Sequence, residues 1–164
     1  TKKYFSLRVI PTQALQKGIK DNFNDLSEES RELINLGSNE LVCDIGSNDG
    51  NLLSYFKPYT QVVGITPEDI GNIAIERGIP TIIDYFNEST CREVIRDYGK
   101  PKLVTATNVF AHIDDPLEVL NSVSMLLDEQ GVFVIEVHYL KSLIETNQYD
   151  TIYHEHMRYY SLRS

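Results

Sequence analysis

The fold is decided by residues 41–50, LVCDIGSNDG, which lead into the helix-favouring residues 51–53, NLL. An apolar run ends at an acid, and a glycine and a short polar loop then precede the helical residues. This order is typical of a buried strand that turns tightly into a helix, as at the entry to a nucleotide-binding βαβ unit. Gly46 and Gly50 allow a ligand to approach the backbone, because they lack a Cβ atom. Asp44 is placed to accept a hydrogen bond from a ligand amine or to orient the loop.

The loop motif narrows the ligand class. G-S-N-D-G is neither the G-x-G-x-x-G of dinucleotide-binding folds nor a P-loop, because it lacks G-K-[ST]. D-x-G-x-x-x-G is the usual first motif of methyltransferases that bind S-adenosylmethionine. The alternative is an ordinary strand-turn-helix whose glycines serve only geometry. The methyltransferase interpretation predicts S-adenosylmethionine as cofactor, S-adenosylhomocysteine as product, and these cofactor-binding residues in the turn: Asp44, Gly46, Asn48, Asp49 and Gly50.

Composition excludes several functional classes. The 164 residues fit one domain, and no apolar run approaches the roughly 20 residues of a membrane helix. A net charge of −9 argues against a nucleic-acid backbone or an anionic membrane as the main partner. Cys43 and Cys91 form no C-x-x-C pair, so no metal site is predicted. Two isolated cysteines suggest a reducing compartment, and we therefore expect a cytoplasmic protein.

Strands and helices alternate from residue 41 onward. Strands are predicted at 41–45, 61–65, 81–84, 103–107 and 132–137, and helices at 51–55, 68–77, 89–98 and 116–127. This alternation predicts an α/β fold, a Rossmann-like, doubly wound and mostly parallel sheet. Before it, an extended segment at 1–11 and two helices, at 13–22 with Thr12 as cap and from 27 to 37, are predicted. We expect one structural domain with a helical lead-in at 1–38, a cofactor-binding core at 39–147 and a substrate segment at 148–164.

Two strand ends suggest contacts to a nucleoside. An acid after the second strand of such folds binds the ribose hydroxyls. Here Thr66 occupies that position, and the nearest acids are Glu68 and Asp69, which otherwise serve only to begin a helix favourably. After the third strand, Asp84 is placed to accept from an adenine amino group and Phe86 to stack on the ring. The alternative is a strand-end acid beside core aromatics.

The end of the fourth strand is where the methyl group meets its acceptor in these folds. Asn108 is a predicted cofactor contact there. His112 follows in the same loop and is interpreted as a general base, a donor to the substrate or a structural residue.

The densest group of titratable side chains is Y-H-E-H at 153–156. A carboxylate between two imidazoles raises the basicity of a histidine, so the cluster of Tyr153, His154, Glu155 and His156 suggests a catalytic role. Metal binding is less favoured, since H-E-H lacks the H-x-x-x-H spacing that aligns two ligands on a helix. A solvated polar loop is the remaining alternative.

Five segments together resemble the sugar C-methyltransferases that act on nucleotide-linked keto-deoxysugars. They are DIGSNDGNLL (44–53), GITPEDIGNIAIERGI (64–79), TNVFAHIDDP (107–116), GVFVIEVHYL (131–140) and, most specific, QYDTIYHEHMRYYSL (148–162). The resemblance implies that His156 is the base that removes the proton next to the sugar ketone, with Glu155 as its neighbour. It also implies that Tyr153 and His112 contact the substrate, and Tyr4 loosely matches a tyrosine of the family's site. The resulting enolate would attack the methyl group of S-adenosylmethionine.

The chain departs from this family in two ways. Thr66 replaces the usual ribose-binding acid, and the family's zinc-binding N-terminal domain and large C-terminal domain have no counterpart here. Five of the seven strands of the full sheet are predicted, so a fragment or a reduced relative is expected. An O- or N-methyltransferase of another small molecule and a non-catalytic cofactor-binding module remain alternatives. A nicotinamide enzyme is disfavoured, because G-x-G-x-x-G is absent.

Overall fold

A computed structural model describes residues 4–10, 19–148 and 152–162 of the chain. Its centre is a six-stranded sheet in which every pairing is parallel, with strand order β1-β6-β5-β2-β3-β4. The strands are β1 (Tyr4–Ile10), β2 (Leu41–Ile45), β3 (Gln61–Thr66), β4 (Thr81–Ile83), β5 (Leu103–Thr107) and β6 (Val132–His138). The helices are α1 (Ile19–Ile34), α2 (Asn51–Phe56), α3 (Gly71–Glu76), α4 (Glu88–Tyr98), α5 (Pro116–Leu126) and α6 (Leu140–Glu145), with a 3-10 helix at Phe110–His112.

Helices cover both faces of the sheet. All five residues of β2 are buried, as expected for a strand covered on both sides. Successive side chains of the strand point to opposite faces, so Val42 and Cys43 belong to two different apolar clusters. One cluster includes Leu26, Leu53 and Ala74 from the first three helices, and the other includes residues of α4 and α5. This packing fixes the strands and therefore the positions of their ends.

The topological switch point lies between β2 and β5. From β2 the chain proceeds outward through β3 and β4, and it then returns to β5 and continues to β6 on the other side. The loops that leave β2 and β5 therefore diverge and open a crevice at the carboxyl ends of the strands. Parallel α/β sheets bind their ligands at such a crevice.

The five predicted strands are confirmed, and the class of fold is the one predicted. The N-terminal region differs from the prediction, because β1 pairs with β6 and adds a sixth strand. The predicted break into two helices is wrong within the described residues, where α1 is continuous from Ile19. Ser27, the predicted start of the second helix, lies inside α1 and donates its hydroxyl to the Asn24 carbonyl at 2.9 Å. The predicted helix start at Thr12 lies outside the described residues.

The helices of this fold are short or amphipathic. No helix in the described ranges is long and apolar enough to cross a membrane.

Candidate active site

The turn after β2 has a tightly fixed backbone. The Gly46 N–H donates to the Ile65 carbonyl at 2.8 Å, and Gly46 has a φ of +73°. A Cβ atom on Gly46 would lie 2.4 Å from Cγ2 of Val109, so the two loops approach more closely than any side chain permits. Asn48, at φ +49°, donates its amide to the Gly46 carbonyl at 3.0 Å, and Gly50, at φ +77°, precedes α2. The turn is therefore preformed.

Asp49 connects this turn to α3. Arg77 donates to the Asp49 carboxylate at 3.1 Å and to its backbone carbonyl at 3.0 Å. The Asn51 side-chain amide donates to the same carboxylate at 2.8 Å. Asp49 thus helps to fix the turn from its outer side.

Asp44 is buried rather than open to a ligand. Its side chain is 2% exposed and accepts a hydrogen bond from the Thr105 hydroxyl at 2.7 Å. The pKa of Asp44 is raised to about 7, because burial raises it most and the nearby Glu136 adds to this, while the hydrogen bond from Thr105 lowers it in part. Of the two predicted roles, orienting the strand end fits this position and direct contact with a ligand amine does not.

Thr66 does not replace the ribose-binding acid. It is 1% exposed, and its hydroxyl accepts from the Glu68 N–H at 3.5 Å. Gly71 packs over it so closely that a Cβ there would lie 2.7 Å from the Thr66 methyl group. The predicted contact of Thr66 with the cofactor is wrong for this reason. Glu68 and Asp69 are exposed beside it.

A cleft of about 430 Å³ opens at the carboxyl ends of β2 to β5, within the size range of small-molecule sites. Gly46, Phe86 and His112 among the predicted residues form part of its wall. The full lining is Ile45, Gly46, Ile65, Pro67, Tyr85, Phe86, Val109, His112, Ile113, Asp114, Asp115, Glu118, Val119 and Ser122. The exposed Asp84 carboxylate accepts from the Tyr85 N–H at 2.7 Å in the turn that presents Phe86, and its contact with an adenine stays a prediction.

Three histidines meet beside this cleft. The His156 ring centre lies 4.9 Å from that of His112 and 5.6 Å from that of His138. The Tyr153 hydroxyl is hydrogen-bonded to Nε2 of His156 at 2.6 Å, with the ring centres 4.0 Å apart. The Tyr159 ring completes the group at 6.0 Å from His156. The structure therefore brings Tyr153, His156 and His112 together, as the sequence predicted.

The segment that contains His156 is docked onto the loop after β5. The Met157 N–H donates to the Ala111 carbonyl at 2.9 Å, and the Tyr160 hydroxyl donates to the Phe110 carbonyl at 3.0 Å. The Arg158 guanidinium donates to the carbonyls of Ile113 and, at 2.8 Å, Asp114. These bonds hold a stretch far along the chain against the 3-10 helix that ends at His112.

Two predicted contacts are placed elsewhere. The Glu155 carboxylate lies 3.9 Å from Nε2 of His154, and both side chains are largely exposed, so the partner of Glu155 is His154. His156 Nε2 is hydrogen-bonded to the Tyr153 hydroxyl instead. Tyr4 begins β1 opposite Val132, six residues before His138, which is about 20 Å away along the sheet. Tyr4 therefore lies at the amino ends of the strands, away from the site.

Asn108 and His138 lie together at the edge of the histidine group. Asn108 has a φ of +57° and donates its N–H to the Glu136 carbonyl at 2.9 Å. His138, the last residue of β6, lies next to His156 but was not among the predicted site residues. Burial lowers the pKa of His138, and the charge of His156 lowers it further. The only sequence signal for His138 was its place at a strand end next to β5.

Among the residues that the structure describes, no group of three or more histidine, cysteine or acidic side chains is placed to hold a metal ion.

Fold and crevice together define an S-adenosylmethionine-dependent methyltransferase architecture. Residues 13–164 match the methyltransferase domain family, and the chain belongs to this family. Members of the family use S-adenosylmethionine.

Individual relatives agree with this assignment. The chain is 42% identical over 135 residues to the C-methyltransferase NovU of Streptomyces niveus, a match that covers 81% of this chain and 32% of that protein. It thus spans about a third of the length of this curated relative.

Solved structures share the fold at low identity. YcgJ of Bacillus subtilis matches with a TM-score of 0.60 at 16% identity, covering 84% of this chain and 62% of that one. The plantazolicin methyltransferase BpumL, solved with S-adenosylhomocysteine, matches with a TM-score of 0.58 at 15% identity, covering 82% and 52%. These likenesses confirm the predicted class of fold.

Proposed function

We propose that this protein is an S-adenosylmethionine-dependent C-methyltransferase that acts on a nucleotide-linked keto-deoxysugar. The observation that supports it best is the His156 ring, bonded to Tyr153 and packed against His112 at the mouth of the cleft. The identity to a C-methyltransferase supports the same chemistry. The two free, buried cysteines agree with a reducing, cytoplasmic setting.

The cleft suits the proposed cofactor. At Gly46 a Cβ would meet Val109, so the glycine lets the loops after β2 and β5 pack together in the wall of the cleft. We assign the turn residues Gly46, Asn48, Asp49 and Gly50 to the methionine end of the cofactor, and Phe86 to the adenine. With Thr66 buried, the exposed Glu68 and Asp69 are the nearest acids for the ribose, and we assign this contact to Glu68. In this division residues 39–147 hold the cofactor and 148–164 hold the acceptor.

His156 is the base in this mechanism. In its neutral form it takes the proton from the carbon next to the ketone, and the C–H electron pair becomes the double bond of an enolate. When bound, the cofactor supplies an electrophilic methyl group on a sulfonium. The Tyr153 hydroxyl fixes the His156 ring by accepting a hydrogen bond from Nε2–H, which leaves Nδ1 to take the proton, and His112 is placed to contact the sugar. The protein thus contributes orientation and proton transfer.

A distinctive experiment is hydrogen exchange at the acidic carbon. In deuterated water with S-adenosylhomocysteine bound, a carbon methyltransferase exchanges the proton next to the ketone of thymidine-diphosphate-linked 4-keto-6-deoxyglucose, the probe. His156→Asn should slow this exchange by about 10²- to 10⁴-fold, the usual contribution of a general base. His154→Asn is the matched control, since the His154 side chain is 91% exposed two positions away.

The alternatives predict other results. Methyl transfer to oxygen or nitrogen needs no carbon acid, so the probe would not exchange and His156→Asn would retain transfer. A non-catalytic cofactor-binding module is the second candidate, favoured by the buried Thr66. It predicts binding of S-adenosylhomocysteine with neither exchange nor transfer in the full-length protein.

A further inference from the structure

A second, much smaller cavity is lined by the His156 ring and by the ends of β5 and β6. Its volume is about 10 Å³, close to the space that a single water-sized oxygen needs. Asn108, His138, His156 and Arg158 contribute polar groups to its wall. It adjoins the proposed base, because His156 lines it.

The polar groups around this cavity are mostly hydrogen-bond donors. Asn108 has a side-chain amide, and its backbone is fixed by the bond to the Glu136 carbonyl. Arg158 is already engaged by the carbonyls of Ile113 and Asp114. His138 is partly buried at the end of β6, and the imidazole of His156 packs against it at 5.6 Å.

His138 is suited to remain neutral while its neighbour takes a proton. Burial lowers its pKa, and a proton on His156 lowers it further, so a second charge is disfavoured. Neutral imidazole keeps one N–H donor and one acceptor nitrogen. A neutral imidazole is an effective hydrogen-bond donor to a developing enolate. The reason is that the acidity of its N–H matches the acidity of the enol better than the acidity of an imidazolium does.

We propose that this cavity receives the ketone oxygen of the acceptor and that His138 is a catalytic residue that donates a hydrogen bond to it, with Asn108 beside it. This inference rests on the proposed function. As His156 takes the proton, the C–H pair forms the C=C bond and the C=O π pair moves to the oxygen next to His138. When that C=C pair takes the methyl group from the sulfonium, the S–C bond breaks to a neutral thioether and the C=O bond forms again. His138 keeps its proton throughout.

The test compares three variants of the full-length protein. His138→Phe keeps a ring but removes the donor, His138→Gln keeps an amide donor, and His154→Phe is the matched control on the exposed side. The readouts are exchange of the proton next to the ketone of thymidine-diphosphate-linked 4-keto-6-deoxyglucose and the Kd for S-adenosylhomocysteine. Loss of one oxyanion donor lowers rates by about 10²- to 10³-fold.

We expect His138→Phe to slow exchange by about 100-fold or more, with the Kd within about threefold of wild type. His138→Gln should recover at least about tenfold of that loss, which a merely structural role would not produce. If the exchange rate of His138→Phe lay within threefold of the exchange rate of His154→Phe, the inference would be overturned. Equal loss of S-adenosylhomocysteine binding in both His138 variants would also overturn it. A wild type that binds S-adenosylhomocysteine but never exchanges the probe would refute the proposed function itself.

Discussion

In this site, the pKa and the accessibility of single side chains depend on burial more than on their immediate sequence neighbours. Asp44 is the clearest case, because it lies beneath the turn with Thr105 as its hydrogen-bond partner and Glu136 nearby. Its pKa is raised to about 7, since the charged form is poorly solvated there. The folded protein therefore keeps a proton on Asp44 over a pH range in which the unfolded chain, with a pKa near 3.8, has lost it.

This raised pKa predicts a pH-dependent stability. Because the folded state binds the extra proton between about pH 4 and pH 7, the free energy of unfolding should fall as the pH rises through that range. Asp44→Asn keeps an acceptor for Thr105 but carries no charge, so it should remove this slope. At pH 8 the variant should be more stable than wild type by up to roughly 4 kcal/mol, at about 1.4 kcal/mol per pKa unit. Denaturant unfolding from pH 4.5 to pH 8 measures both quantities.

The control for Asp44→Asn is Glu129→Gln, which removes an exposed carboxylate from the turn before β6. It should leave the slope unchanged. An Asp44→Asn variant whose pH dependence parallels that of wild type would show that Asp44 is already ionised in the folded protein.

The same dependence on burial explains which site residues the sequence could predict. His112 and His156 could be predicted as candidate site residues because each stands in a recognisable motif. Thr66 was misassigned, because whether a strand-end side chain faces a ligand or the core depends on what packs over it, here Gly71. His138 is a lone histidine after an apolar run, and nothing in its spacing shows that residues 152–162 fold back onto it.

Among the local elements, the turn between β2 and α2 has the strictest backbone requirement. Gly46→Ala would combine a positive φ with a Cβ only 2.4 Å from Val109, a side chain that lines the cleft. We expect a loss of stability of about 1–3 kcal/mol from the strained residue and the displaced neighbour. Binding of S-adenosylhomocysteine should weaken by at least about tenfold. Denaturant unfolding and calorimetric titration measure the two effects.

Gly99→Ala is the matched control for this turn. Gly99 also has a positive φ, +91°, but nothing lies within 4 Å of its added Cβ, and it ends α4 away from the cleft. It should lose stability through the backbone alone and bind S-adenosylhomocysteine as wild type does. If both glycine variants lost the ligand equally, the effect would be one of general stability and not of this turn.

Secondary structure was predictable wherever the element is buried within the sheet. The strands β2, β3, β5 and β6 are near-continuous apolar runs. This pattern is typical of strands that are buried on both faces. β1 escaped prediction because YFSLRVI is interrupted by Ser6 and Arg8 and becomes a strand by pairing with β6. That pairing is a tertiary event, so local pattern alone could not reveal it.

For the molecule as a whole, the cleft is the place where the loops after four strands lie side by side. Elsewhere these loops lead to separate parts of the core. Its wall takes residues from the ends of β2, β3 and β5 and from the turn after β4, so the residues that bind a ligand belong to both halves of the sheet around the switch point. A ligand there should stabilise the folded chain globally, because an unfolded chain offers no such constellation.

Thermal unfolding with and without ligand tests this coupling. S-adenosylhomocysteine at 100 times its Kd should add about 2.7 kcal/mol to the free energy of unfolding. For a chain of this length that corresponds to a rise in Tm of roughly 5–10 °C, at about 2–4 °C per kcal/mol. NAD at the same concentration should leave Tm unchanged, because the turn lacks the G-x-G-x-x-G that holds a dinucleotide. Gly46→Ala should lose the rise in Tm, and Gly99→Ala should keep it. A rise in Tm with NAD, or a rise with S-adenosylhomocysteine that survives in Gly46→Ala, would place the ligand outside this cleft.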